Sequence, residues 1–153
     1  MHRLKKTVVV PCSPAQMFGL VADVERYQEF LPWCTGSRIL ERQDGEVVAE
    51  LHVGHGAVST SFATRNRNHP YELIEMQLVE GPFAALQGFW HFEALPEGGC
   101  RASLELEFDF AGRILGTLFD VVFSGAMETL AAAFEERCRD ARLGVTLNHE
   151  KGG

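Results

Sequence analysis

Apolar and polar residues alternate with a period of two along the middle of the chain. Five runs show this pattern, at residues 46–53, 58–65, 74–78, 90–94 and 104–110. The stretches QDGE, HGA, RNHP and PEGG, which are rich in turn-forming residues, lie before or between the runs. Alternation of this kind is typical of a strand with one buried and one solvated face, so the pattern predicts an antiparallel meander.

A first strand and two short helices are predicted before these runs. Leu4–Val10 is short and rich in β-branched residues, and a proline ends it. Ser13, followed by proline, is a helix start signal because its hydroxyl can cap the first turn. Apolar residues then recur at helical spacing over residues 17–31, with a break expected near Asp23 and a stop at Pro32.

The last predicted element is one long helix from about Arg113 to Leu143, roughly 45 Å in length. Its apolar stripe is broad and consists of Leu115, Leu118, Phe119, Val122, Phe123, Met127, Leu130, Ala131 and Phe134. A sheet with one apolar face must be covered, and this helix is the only large partner that the pattern offers. The predicted fold class is therefore α+β, with a curved antiparallel sheet of six to seven strands wrapped around the C-terminal helix. A sheet that curls around one helix favours an apolar pocket between the two layers.

Length and composition fit one domain, predicted to span residues 1–145, with a disordered tail at 146–153. The chain has 153 residues, of which 46% are hydrophobic, and its net charge is -7. Such a charge excludes a protein-wide attraction for DNA or anionic membranes, so RNA binding would need a local basic patch. The turn that carries Arg65 and Arg67 and the basic residues of the first strand are the candidates, although a solvated surface is the simpler interpretation.

The four cysteines, Cys12, Cys34, Cys100 and Cys138, are scattered and match no zinc-binding spacing. We expect reduced, structural thiols. The apolar run before Cys12 is too short for an export signal, and no stretch approaches the roughly 20 apolar residues of a membrane span. The expected location is the cytoplasm, with or without peripheral contact with the inner membrane.

No residue pattern points to catalysis or to a metal. His52 and His55 are three apart on a predicted strand and therefore face opposite sides. Glu105, Glu107 and Asp109 share the polar face of a half-buried strand, which favours a solvated surface over an acidic catalytic row. Nothing near Cys34 lowers its pKa, and no nucleophile or phosphate-binding motif is present. We therefore predict no catalytic residue, no metal and no resident cofactor.

Four motifs resemble one family. YQEFLPWC, EGPFAALQGFWHFEAL, LELEFDF and AFEERC occur in order at residues 27–34, 80–95, 104–110 and 133–138. They are similar to the START-like coenzyme Q-binding proteins and bacterial ribosome association toxins of the polyketide cyclase/dehydrase superfamily. The resemblance implies a helix-grip fold around an apolar cavity. It also implies binding of ubiquinone or another polyprenyl lipid in support of respiration. Its alternatives are a toxin that binds the large ribosomal subunit and blocks subunit association, and a cyclase-like enzyme.

Aromatic residues occur in every element that could face one cavity, although a plain, filled core explains them equally well. The candidate cavity residues are Tyr27, Phe30, Leu31, Trp33, Thr60, Phe62, Phe83, Trp90, Phe92, Phe119, Phe123 and Met127. Trp33 is expected near the cavity mouth. Tyr27, Thr60, Gln87 and His91 are candidates for polar contact with a quinone head.

Overall fold

A seven-stranded antiparallel sheet is the main element of the structure, a computed structural model that describes residues 2–55, 58–111 and 129–140. The strands are β1 (His2–Val10), β2 (Cys34–Gln43), β3 (Glu46–His55), β4 (Val58–His69), β5 (Leu73–Glu80), β6 (Phe83–Ala94) and β7 (Cys100–Phe110). Their order across the sheet is β1-β7-β6-β5-β4-β3-β2, and every neighbouring pair is antiparallel. The meander predicted from the alternating runs is confirmed.

The two short helices carry the chain from one edge of the sheet to the other. Helix α1 (Pro14–Ala22) is followed by a 3-10 helix (Val24–Glu29), and the break lies at Asp23 as predicted. A reciprocal capping box starts α1, in which Ser13 Oγ accepts from the Gln16 N–H at 3.1 Å and Gln16 Oε1 accepts from the Ser13 N–H at 2.9 Å. Because β1 and β2 are the two edge strands, this connection crosses the whole inner face.

Residues 129–140 are helical and form what we term the C-terminal helical segment. Leu130, Phe134 and Cys138 are buried at a spacing of four, so one side of this helix faces the core. The Phe134 ring lies 5.5 Å from those of Tyr27 and Trp90, which places it between the short helices and the sheet. The rest of the predicted long helix and the predicted tail lie outside the described residues. Within the described ranges, no helix has the length and apolar character needed to cross a bilayer.

Strands β6 and β7 approach each other unusually closely at Gly88. A Cβ atom at this position would lie 2.1 Å from the carbonyl oxygen of Glu105 and 2.6 Å from Cδ2 of Leu106. Only glycine permits this contact without a shift of the backbone. Gly88 lies in an inward-facing row between Met76 and Leu106, so the sheet carries no side chain at the middle of that row.

A disulfide joins Cys12, in the loop after β1, to Cys138 in the C-terminal helical segment, with Cα atoms 6.2 Å apart. The expectation of four reduced thiols is therefore wrong for this pair, while Cys34 and Cys100 are free and buried. Cys12 and Cys138 are 126 positions apart in the sequence, and no local signal indicated their pairing. Only the fold, which packs the end of the chain against its beginning, brings them together.

Reduction of this disulfide should lower the free energy of unfolding, by up to about 5 kcal/mol from loop entropy alone. Denaturant titration with and without reducing agent measures the effect. The Cys12→Ser, Cys138→Ser double variant is the control, and reducing agent should change its stability no further. Thiol titration of the denatured, unreduced chain should count two free thiols; a count of four would contradict the pairing.

Candidate functional site

A small apolar cavity of about 90 Å³ lies between the inner face of the sheet and the C-terminal helical segment. Its described lining comprises Val24, Tyr27, Trp33, Ala49, Leu51, Val53, Phe62, Thr64, Asn66, Met76, Leu86, Trp90, Leu104, Leu106, Leu130 and Phe134. Apart from tyrosine, none of these side chains is acidic, basic or otherwise ionisable. The cavity therefore offers an apolar surface with a few neutral polar groups.

Four of the twelve predicted cavity residues, Tyr27, Trp33, Phe62 and Trp90, line this cavity. Five others are described but lie outside its lining: Leu31, Phe83 and Phe92 are buried in the core, and Phe30 and Thr60 are half-buried. Phe119, Phe123 and Met127 lie outside the described residues. A ligand-binding role stays a prediction for each of the twelve.

The polar groups proposed for a quinone head are placed differently from the expectation. Gln87 and His91 are exposed on the outer face of the sheet, where Gln87 Nε2 lies 3.4 Å from Glu107 Oε2. They cannot reach a molecule held inside, because alternate residues of β6 face opposite sides. Tyr27 does line the cavity, but its hydroxyl donates to the carbonyl oxygen of Val21. The hydroxyl proton of Tyr27 is therefore not available for a hydrogen bond to a ligand.

The polar residues that do face the cavity were missed. Thr64 and Asn66 are only 9% and 8% exposed, and Thr64 Oγ1 donates to Asn66 Oδ1 at 2.7 Å. Both lie on the inward row of β4 that also carries Phe62. Extending the alternation two residues further would have found Asn66, but its place among Arg65 and Arg67 made it look like part of a solvated turn.

Trp33 also lines the cavity and carries a fully buried polar atom. It directly precedes β2, and its carbonyl oxygen accepts from the Gly54 N–H at 2.9 Å. Its side chain is 9% exposed, and the buried Nε1 has no hydrogen-bond partner among the described residues. A buried donor without a partner is costly, on the order of 1–3 kcal/mol. Trp33 is thus part of the cavity wall rather than a surface lid.

The outer face of the sheet carries an open, charged groove of about 910 Å³. Arg65 and Arg67 of β4 line it, together with Arg3 and Lys5 of the edge strand β1. Acidic residues alternate with these cations, namely Glu46, Glu75, Glu105 and Glu107. Two ion pairs cross between strands, Arg67–Glu46 at 3.7 Å and Arg3–Glu107 at 3.4 Å. The predicted basic cluster is therefore a mixed surface with local positive charge.

Metal-binding geometry is absent from the residues that the structure describes, where no three histidine, cysteine or acidic side chains converge. His52 is exposed, and its Nε2 lies 2.8 Å from Glu50 Oε1. The side chain of His55 lies outside the described part of the chain.

Residues 10–135 match the family described as polyketide cyclase / dehydrase and lipid transport. The chain belongs to this family. The ribosome association toxin RatA of Pseudomonas aeruginosa is 40% identical over 136 residues, which cover 89% of this chain and 94% of that protein. The mitochondrial coenzyme Q-binding protein COQ10 of Dictyostelium discoideum is 28% identical over 127 residues, which cover 80% and 62%.

A solved structure of a START superfamily protein from Mycobacterium smegmatis superimposes with a TM-score of 0.77 at 26% identity, covering 92% of this chain and 99% of that one. The START-like fold expected from the four sequence motifs is therefore confirmed.

Two buried groups near the cavity have perturbed acidities. Burial raises the pKa of the Tyr27 hydroxyl well above its ordinary value, and the neighbouring Cys34 and Asp23 act in the same direction. Burial also raises the pKa of the Cys34 thiol, whose Sγ donates to the Gly36 carbonyl oxygen at 3.3 Å. A thiol held in its protonated form is a poor nucleophile.

The raised pKa of Tyr27 predicts a loss of stability in strong base. The folded protein keeps this proton at pH values where the unfolded chain releases it, so the stabilisation is fully present below a pH of about 10 and falls above it. In a Tyr71→Phe background, Tyr27 is the only tyrosine, and tyrosinate absorbance reports it alone. Tyrosinate should form only as the near-ultraviolet circular dichroism signal is lost; its formation near pH 10 in folded protein would contradict the prediction.

Proposed function

We propose that this protein is a non-catalytic binding module for a neutral apolar molecule, with ubiquinone or a related polyprenyl lipid as the expected ligand. The observation that carries the proposal is the cavity under the C-terminal helical segment, whose described lining holds no acidic or basic side chain. The similarity to a protein named for coenzyme Q binding supports the same class of ligand. A cytoplasmic location with peripheral membrane contact, where such a lipid is exchanged, belongs to this proposal.

The size of the cavity sets a condition on binding. The cavity measures about 90 Å³, whereas pockets for drug-sized ligands measure about 300–1,000 Å³. A quinone ring therefore needs the cavity to widen. Leu130 and Phe134 are the lining residues that the C-terminal helical segment contributes, so outward movement of this segment is the simplest way to open it. Burial of prenyl carbons, at roughly 25 cal/mol per Å², would offset the lost packing.

The same lining argues against a cyclase or dehydratase. General acid–base catalysis needs a titratable group within hydrogen-bond reach of the substrate. Among the described lining residues only Tyr27 titrates, and burial together with its bond to Val21 keeps it protonated. Binding without chemistry is therefore the function that this geometry favours.

The two tryptophans of the chain, Trp33 and Trp90, both line the cavity and can report ligand binding. Titration with a short-chain ubiquinone analogue should give a saturable loss of tryptophan fluorescence, because quinones quench nearby indoles. The Ala49→Leu variant should reduce this binding by about tenfold or more, since Ala49 is a buried lining residue and the added carbons fill the void.

Ala84→Leu, at an exposed position on β6, is the matched control and should bind as the wild type does. Thermal unfolding of both variants must first show that the fold is retained. Absence of saturable quenching in the wild type, or equal quenching in Ala49→Leu, would contradict the proposal.

Association with the ribosome is a second candidate function. It is supported by the 40% identity, over most of both chains, to a protein named ribosome association toxin. Arg65 and Arg67 point outward from β4 into the charged groove, on the face opposite to the cavity. Arg65 has no ion-pair partner among the described residues, so its charge is available to a phosphate. We expect the large subunit to be the contact.

The Arg65→Glu, Arg67→Glu double variant should lose co-sedimentation with large ribosomal subunits, because each change places a negative charge against the RNA backbone. Sucrose-gradient sedimentation at fixed salt concentration measures the bound fraction. Arg101→Glu is the control, since Arg101 is exposed on β7 outside the groove and pairs with Glu93. Undiminished co-sedimentation of the double variant would remove this strand from the contact surface, and absence of wild-type binding would refute the function.

A further inference from the structure

We propose that the Thr64–Asn66 pair is the polar recognition point of the cavity and that it selects apolar ligands with a hydrogen-bond-accepting carbonyl oxygen. This inference rests on the proposed ligand-binding function and specifies the chemistry of the ligand. It assigns a role to these two buried polar side chains, which were not among the cavity residues predicted from the sequence.

The hydrogen bond within the pair fixes the direction of the asparagine amide. Thr64 Oγ1 donates to Asn66 Oδ1 at 2.7 Å, which occupies the amide oxygen and leaves the two N–H groups of Nδ2 as the free side of the amide. Among the described residues, Nδ2 has no hydrogen-bond partner. Asn66 is 8% exposed and lines the cavity, and Nδ2 is not among the fully enclosed polar atoms that lack a partner, so its donors border open space at the cavity wall. A carbonyl oxygen is the neutral group that satisfies them.

Charge selection follows from the neighbouring residues of β4. Arg65 and Arg67 alternate with Thr64 and Asn66 and therefore point to the outer groove, so no cation enters the described lining. A carboxylate or phosphate placed beside Asn66 would lose its hydration without gaining a counter-charge, and an amine would find no acid. The recognition point thus accepts neutral oxygen acceptors and rejects ionised ligands.

The register of the sheet gives the ligand a direction. Asn66 lies opposite Val47 on β3, whereas Cys34, which follows Trp33, lies opposite Val53. Six residues of strand separate these two points, about 20 Å. A ligand whose carbonyl meets Asn66 therefore extends its apolar part past Phe62, on the same inward row, toward Trp33.

Matched probes that differ by one carbonyl test the inference. Heptanophenone and heptylbenzene have the same carbon skeleton, carry no charge and do not react with the free thiols. Calorimetric titration should give a ratio of ketone to hydrocarbon affinity that is about tenfold higher for the wild type than for the Thr64→Val, Asn66→Leu double variant, the effect of one hydrogen bond. Because both partners are replaced by apolar groups of similar shape, the variant should keep its fold.

Ala84→Leu is the control variant, since Ala84 is exposed on β6 and lies outside the cavity lining. Its affinity ratio should equal that of the wild type. An unchanged ratio in the double variant would overturn the inference while leaving the binding function intact. If neither probe nor the ubiquinone analogue binds to the wild type, the ligand-binding function itself fails.

One further measurement uses the wild type alone, so it still tests the inference if the double variant does not fold. The alcohol 1-phenylheptanol offers a donor proton in place of the carbonyl. The wild type should bind the ketone more tightly than the alcohol, because the free side of the Asn66 amide donates. A preference for the alcohol would show that the amide presents its oxygen to the cavity, and would overturn the inference.

Discussion

Coverage of the inner face of the sheet is the constraint on which the rest of the structure depends. Alternate residues of the strands present apolar side chains to one side, and an antiparallel sheet is stable only if that side is kept from water. The crossover helices and the C-terminal helical segment supply the cover, and Phe134 lies where they meet, against Tyr27, Phe30 and Trp90. The disulfide between Cys138 and Cys12 attaches the C-terminal helical segment to the loop after β1 and so holds this segment against the first strand.

The cavity is a consequence of how incompletely this cover fits. From the C-terminal helical segment only Leu130 and Phe134 reach the described lining, and the 3-10 helix adds Val24 and Tyr27. Protein interiors are ordinarily packed as densely as organic crystals, so a void of this kind marks a site with fewer van der Waals contacts than a filled core would have. Thr64 and Asn66 border that void with polar groups, although apolar residues of the same size would fill the position at no cost in hydrogen bonding.

The sheet, the capped first helix and the break at Asp23 could be predicted from the sequence, because each depends on local periodicity or on one capping residue. Four of the five aromatic residues in the described lining were among the predicted cavity residues, and the fifth, Phe134, was predicted for the apolar stripe of the last helix. Asn66 was not predicted, because a polar residue between two arginines has the composition of a surface turn, and only the register of β4 shows that it points inward. The Cys12–Cys138 pairing also escaped prediction, since it depends on contact between the two ends of the domain, on which sequence spacing carries no information.

The position of β1 has a consequence for how the chain reaches its folded state. β1 is the first strand to be synthesised, yet the strand beside it in the sheet is β7, with His2 opposite Phe108 and Val10 opposite Cys100. The meander from β2 to β7 can form progressively as the chain emerges, whereas β1 must remain unpaired until about a hundred further residues have been made. Closure of that edge is a contact between distant parts of the sequence, the kind that slows folding. While β2 to β6 are being made, β1 is therefore open to other partners.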